Sequence, residues 1–330
     1  MRFGVSYFGV RDPRHARRDL DEIAEAGFGS ITHTFSEHDL RYHQDDLARI
    51  VSESKARGLE VALDPWGVGG LFGGEAYSEL ALVDLSARQV DANGLSVPAC
   101  CPHAGATREL LHRWTRAALA LEPDVLFWDE PHFYLGALRA DPAAPCCRCP
   151  ACRDAWHAEG GTGDLPPEGT EELAAFRGLA LRRLLESVLR SAADAEVRHA
   201  LCLLPRGEFS GAGSDDWEGM AAVPGLSRLC TDPYWMDRAV APAEFVQRHA
   251  EPLRELCDRT GHEMEVWVQG IRIPAGREGD IAVATDAAIA AGADVVSFWS
   301  FRGTERMASL TCGDPSAAWS AMTDAVRRFR

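Results

Sequence analysis

Eight short apolar segments, each followed by a helical pattern or a long polar connection, constrain this chain more than any other feature. They run Phe3–Phe8, Ser30–Phe35, Glu60–Asp64, Asp124–Trp128, His199–Leu204, Arg228–Asp232, Glu265–Gln269 and Val295–Phe301. Most are continuous apolar runs, the pattern of strands buried on both faces. Between them lie helical patterns: one opened by Asp12-Pro13 and running to Ala26, then Asp45–Arg57, Thr107–Leu121, Glu171–Ser191, Pro242–Thr260, Glu278–Ala291 and Ser316–Phe329, with a shorter one near Asp216–Ala222. Gly27, Gly58, Gly261 and Gly292 each close a helix just before a strand, as a left-handed helix stop requires. Repeated strand–helix units imply a parallel α/β fold. Eight of them with a closing C-terminal helix predict a (β/α)8 TIM barrel, a fold that needs about 250 residues. We expect a single catalytic domain over residues 1–330, with long insertions at about 67–106 and 131–169 after the third and fourth strands.

A formal net charge of −16 argues against nucleic acid or an anionic membrane as partner. It suits a neutral or cationic small molecule. No signal-like apolar run opens the chain, and no stretch approaches 18 uninterrupted apolar residues, so we expect a cytoplasmic location and no membrane partner.

In barrels the chemistry sits at the C-terminal ends of the strands. Those ends offer Tyr7; His33, with Glu37 and His38 beyond it; Asp64-Pro65-Trp66; Trp128-Asp129-Glu130-Pro131-His132; Pro205-Arg206; Asp232-Pro233-Tyr234-Trp235; Gln269-Gly270; and Trp299-Ser300-Phe301-Arg302. Carboxylates act as general acids and bases or bind metal. Aromatic rings stack on sugar C–H faces, so the mixture favours a carbohydrate over a phosphate ligand. The glycine-rich run Gly67–Gly74 follows no phosphate-loop pattern, and we expect it to be a flexible loop over the site. Adjacent carboxylates such as Asp129 and Glu130 cannot both ionise cheaply, so one holds its proton. That is the requirement on a glycosidic general acid. Glu130 is therefore the leading catalytic candidate, with Asp129 and Asp232 beside it. His33, Asp64, Trp66, Tyr234, Gln269, Trp299 and Arg302 are the candidate substrate-binding residues.

Of ten cysteines, Cys202, Cys230, Cys257 and Cys312 are isolated. The run Cys146-Cys147-Arg148-Cys149-Pro150-Ala151-Cys152 contains C-x-C-x-x-C, a spacing that brings thiolates onto one tetrahedral zinc. The fourth ligand comes from Cys100 or Cys101 in the other long loop, with Cys146 and His157 as alternatives. Four protein ligands would make the zinc structural. Nothing calls for an organic cofactor.

These stretches resemble barrel glycoside hydrolases. Phe127-Trp128-Asp129-Glu130-Pro131 resembles the acid/base position of that superfamily, and Trp299 resembles the tryptophan beneath the sugar at the cleavage point. The cysteines after Glu130 resemble the zinc cluster of family 42 β-galactosidases. The resemblance implies Glu130 as acid and Cys147, Cys149 and Cys152 as ligands with Cys101 or Cys100. This chain departs from the superfamily at two positions: Asp129 replaces the usual asparagine, and Gln269 stands where the strand-seven nucleophile would be. An Asp-Glu pair also resembles hexosaminidases that use the substrate's acetamido group, with Asp129 orienting it; otherwise Asp232 is base or nucleophile opposite Glu130. The expected function is hydrolysis of a small glycoside or oligosaccharide. The rivals are a metal-dependent sugar isomerase, epimerase or lyase, built on Glu130, Asp232, Asp64 and His33, and a non-catalytic carbohydrate-binding barrel.

Overall fold

A computed structural model describes residues 1–136, 145–209, 211–305 and 309–329. Eight strands close into a parallel barrel: β1 (Arg2–Tyr7), β2 (Ser30–Thr34), β3 (Glu60–Asp64), β4 (Val125–Trp128), β5 (Arg198–Leu203), β6 (Leu226–Thr231), β7 (Glu263–Gln269) and β8 (Val295–Trp299). Each pairs with its sequence neighbours, and β8 pairs with β1 in the register Val5↔Phe298 to close the ring. The helices between them are α1 (Pro13–Ala26), α2 (Gln44–Ala56), α3 (Gly105–Leu119), α4 (Glu171–Arg190), α5 (Trp217–Ala221), α6 (Pro242–Thr260), α7 (Gly279–Ala290) and α8 (Pro315–Arg328). No helix among the described residues is long and apolar enough to cross a membrane.

The strands read as continuous apolar runs because alternate residues enter two different cores. Val125, Phe127, Ala62, Ala200, Cys202, Cys230, Trp267 and Trp299 pack together inside the barrel. Leu126, Trp128, Leu63, Leu201, Leu229, Val268 and Phe298 pack outward against the helix layer. At the N-terminal end, buried Arg228 gathers Glu60 (2.8 Å), Glu263 (2.6 Å) and Glu265 (3.1 Å). Glu265 also accepts from Ser297 Oγ at 2.5 Å. That ion cluster closes the end of the barrel opposite the cavity and accounts for the acids at the start of β7.

Helix ends follow the local chemistry. Asp12 caps α1 by accepting from Arg14 N, and Gly27 and Gly261 take left-handed φ of 103° and 77° at the ends of α1 and α6. A short helix, Glu37–Tyr42, lies between β2 and α2. It was not anticipated, although Ser36 and Asp39 form a reciprocal capping box that the spacing encodes.

Both long connections carry structure. After β3 come a 3-10 turn (Val68–Gly70), a helix (Glu79–Val83) and an antiparallel hairpin, Arg88–Val90 with Ser96–Cys100. After β4 comes the helix Pro150–Ala158. The glycine-rich run is not the loose loop expected. Val68, Leu71 and Phe72 are buried, Gly67 N donates to Gly73 O at 2.7 Å, and Gly73 N donates to Asp129 O at 3.0 Å.

Candidate functional site

The C-terminal strand ends surround a cavity of about 480 Å³. Asp129, Glu130, Asp232, Tyr234, Gln269 and Trp299, all singled out in the sequence, line it together. Its floor is an aromatic stack. Trp267 meets Trp299 edge-on at 5.6 Å, Phe8 stacks on Trp299 at 5.4 Å, and Phe127 supports Trp267 at 5.3 Å. The rings brace one another, so Trp299 holds its orientation without ligand.

Strand alternation explains why Asp129 faces inward, because it continues the inward series Val125 and Phe127. The next residue should then face the helices. Glu130 instead adopts φ of 41°, a left-handed conformation that is strained for a side chain with a Cβ. The turn breaks the alternation, and both carboxyls line the cavity. His132 Nδ1 contacts the Glu130 carbonyl.

The glycine-rich run forms the roof. A Cβ on Gly73 would lie 2.2 Å from Asp129 Oδ2, and one on Gly74 would lie 1.7 Å from Trp66 Cδ1. Only glycine permits this approach of backbone to the carboxyl pair.

Four carboxyls are held above their ordinary range. Burial is the first cause for each. Glu130 is raised further by the charge of Asp232 and by a hydrogen bond to it. Asp232 is pushed up to about 7, since the bond from Glu130 partly opposes the effects of burial and Asp129. The two therefore share a proton, with Glu130 as donor and Asp232 as acceptor. Asp129 is raised by burial and Glu130, while the Cys202 thiol donates to it and opposes the shift. Asp64 is wholly buried, has no hydrogen-bond partner on either oxygen, and feels Asp129 and Glu130 after burial. Tyr234 is raised by burial and then by Asp232.

Four expected ligand-binding residues do not line the cavity, fully buried Asp64 among them. His33 follows the outward parity of β2, and its Nε2 meets Ser54 Oγ of α2 at 2.9 Å. That placement also removes it from any divalent-ion set with Glu130 and Asp232. Arg302 is held by Glu22 and, at 3.2 Å, by Glu305. Trp66 lies behind Gly74, tilted against Phe8 at 5.4 Å. Gln269 lines the cavity, but its amide serves the backbone: Oε1 accepts from Met236 N (3.1 Å) and Nε2 donates to Ile271 O (3.0 Å). Sequence reasoning missed Trp267, which inward parity with Gln269 would have found. It also passed over Phe72, Glu208, Arg238 and Arg272, which sit on connections whose path is not periodic.

The cysteines converge separately. Cys101, Cys147, Cys149 and Cys152 are buried with all four Sγ atoms within 4.8 Å of one another. Cys101 Sγ and Cys152 Sγ are 3.4 Å apart, close to the ~3.8 Å between thiolates that are each about 2.3 Å from one tetrahedral zinc. Val90 N and Cys149 N donate to Cys147 Sγ at 3.4 and 3.5 Å, which suits a thiolate. The competing ligands are placed elsewhere. Cys100 contacts Ser78 Oγ at 3.7 Å, and exposed His157 contacts Gly163 O at 2.8 Å.

No protein-family model matches the sequence, and no curated protein does. Solved structures do match. An endo-1,4-β-D-mannanase from Thermotoga petrophila superposes with TM-score 0.58 at 10% identity, covering 99% of each chain. The β-glycosidase BGL167 gives 0.55 at 15% identity over 99% of this chain and 96% of its own. A D-allulose 3-epimerase from Methylomonas sp. gives 0.53 at 14% identity over 99% and 97%. At such identities the likeness establishes the fold: the chain shares its (β/α)8 barrel with glycoside hydrolases and with an epimerase.

Proposed function

We propose that this protein is a glycoside hydrolase that cleaves a small glycoside or oligosaccharide, with Glu130 as general acid and Asp232 as the opposing carboxylate. The hydrogen-bonded Glu130–Asp232 pair above a tryptophan floor carries this conclusion. Burial and a neighbouring carboxylate raise Glu130 and favour its protonated form, the form that protonation of a leaving glycosidic oxygen requires. Asp232 Oδ1 has no partner and is open to ligand, and the oxygen now hydrogen-bonded to Glu130 is the one that would act on the anomeric carbon or on a water attacking it. Retaining enzymes separate the two carboxyls by about 5 Å and inverting ones by about 6.5–9.5 Å. Direct hydrogen bonding is closer than either. The glycosidic oxygen therefore replaces Asp232 as the acceptor of the Glu130 proton and parts the pair as it binds. Trp299 and Trp267 would lie under the sugar ring, and the roof at Gly73 limits water beside Asp129.

Cys101, Cys147, Cys149 and Cys152 would hold a structural zinc. Four thiolates leave no open position, so the ion would tie the hairpin to the helix Pro150–Ala158 and take no part in the reaction.

The test is Glu130→Gln, assayed against a panel of aryl glycosides. Turnover should fall by about 10²–10⁴-fold with folding intact. Near-normal turnover on a substrate of the wild type would overturn the assignment.

A further inference from the structure

The cavity is more acidic than a neutral sugar requires. Among the described residues, six carboxylates and two arginines line it. The arginines are engaged at its rim: Arg238 with Glu208 at 3.1 Å, and Arg272 with Asp237 at 3.8 Å and with Ser309 O at 3.2 Å. Deeper in, the charges acting on Asp64, Asp129, Glu130 and Asp232 come from other carboxyls. Asp232 is only 7% exposed and lines the cavity, yet its Oδ1 has no partner. Asp64, outside the cavity lining but close enough to feel Asp129 and Glu130, is fully buried with both oxygens unpartnered. Orphaned buried acceptors of this kind are costly unless a donor arrives with the ligand.

Two observations identify that donor. First, among the described residues no three of these carboxylates converge within 4.8 Å; only the four cysteines do. The carboxyls crowd in pairs, Glu130 with Asp232 and with Asp129, without forming a metal-holding group of three. Secondly, the space between them is walled by Trp267, Trp299, Tyr234 and Phe72, whose ring faces attract cations. An ammonium offers three diverging donors and a full positive charge. A hydroxyl offers one donor and no charge.

We propose that the ligand of this cavity carries a protonated primary amine, so that the substrate class is a free amino sugar and not a neutral or N-acetylated one. The inference deepens the glycosidase reading and rests on it only for the word sugar. On binding, the ammonium takes up the open oxygens of Asp232 and its neighbours. Because burial and mutual repulsion hold protons on these carboxyls, an arriving cation displaces some of them to solvent.

The experiment uses the wild-type full chain and calorimetric titration at pH 6.5. The probes are the 2-amino-2-deoxy and 6-amino-6-deoxy forms of glucose and galactose, each beside its hydroxyl parent and its N-acetyl derivative. At least one amine should bind about tenfold or more tightly than both counterparts. Its binding heat should change with the ionisation heat of the buffer, reporting proton release, and the preference should shrink in about 0.5 M salt. Asp232→Asn should abolish the preference. If that variant fails to fold, the wild-type comparison still decides. The inference is overturned if a parent or N-acetyl sugar binds as tightly as its amine, or if no amine binds up to about 10 mM. A separate aryl-glycoside assay keeps the two proposals distinguishable. Amine-selective binding without any hydrolysis supports this one and removes hydrolysis. Hydrolysis with preference for neutral sugars does the reverse.

Discussion

Replacing Gly73 by alanine tests how closely the roof is fitted to the carboxyl pair. The added Cβ would sit 2.2 Å from Asp129 Oδ2, 2.9 Å from Asp129 Cγ and 2.9 Å from Glu130 Oε2, where Cβ contacts essentially never fall under 3.0 Å. Either Asp129 or the roof must move by about 0.8 Å at least. The roof is pinned by Gly73 N to Asp129 O and by Gly67 N to Gly73 O, and Asp129 is flanked by Cys202 and Glu130. Overpacking of this kind costs about 1–3 kcal/mol, a fall in Tm of roughly 2–6 °C for a chain of this size. A displacement near 1 Å at the reacting groups costs turnover about 10²-fold. Gly105→Ala is the control. Nothing lies within 4 Å of its Cβ, at the first residue of α3, so stability should hold or rise by up to about 1 kcal/mol with activity unchanged. The assay is kcat/KM on the best aryl glycoside, with Tm by circular dichroism. If Gly73→Ala keeps more than half of both kcat/KM and the Tm margin over the control, the roof is not fitted to the pair and the steric reasoning fails.

Three further outcomes follow from the electrostatics and the thiols. Asp232 has its folded pKa raised from 3.8 to about 7, so its stabilising contribution is complete below pH 4 and is lost as pH rises towards 7. Asp232→Asn should therefore gain roughly 3–4 kcal/mol over wild type at pH 8 and much less at pH 5; equal gains in urea unfolding at both pH values would refute this. Arg228→Met leaves Glu60, Glu263 and Glu265 without their shared cation, which should cost about 3–5 kcal/mol; an unchanged urea midpoint would count against it. Protein purified without chelator should contain about one zinc per chain, and Cys152→Ser should lose the metal and several degrees of Tm, read by elemental analysis and thermal melts; zinc-free wild type would remove the metal proposal.

Much of the architecture was legible because it is written in local periodicity. Two-sided strand burial, proline and aspartate at helix starts, and glycine at helix stops are encoded within a few residues. They placed eight strands, the helices between them and the face on which Asp129, Asp232, Tyr234 and Trp299 meet. The C-x-C-x-x-C run is equally local, and it announced three thiols of the quartet. The fourth was open between Cys100, Cys101, Cys146 and His157. Only the tertiary fold, which sets Cys101 Sγ beside Cys152 Sγ, selects Cys101, because some fifty residues of chain intervene. Strand-end position alone misjudged His33 and Arg302: a residue near a strand end can face ligand or helix, and their tertiary partners, Ser54 and Glu22, are remote in sequence. The pair that defines the site shows the division most clearly. Adjacent residues on a regular strand face opposite ways, so the composition of Asp129–Glu130 promised chemistry that its periodicity denied. The left-handed turn at Glu130 turned both carboxyls inward, and barrel closure brought Asp232 from β6 to share the proton.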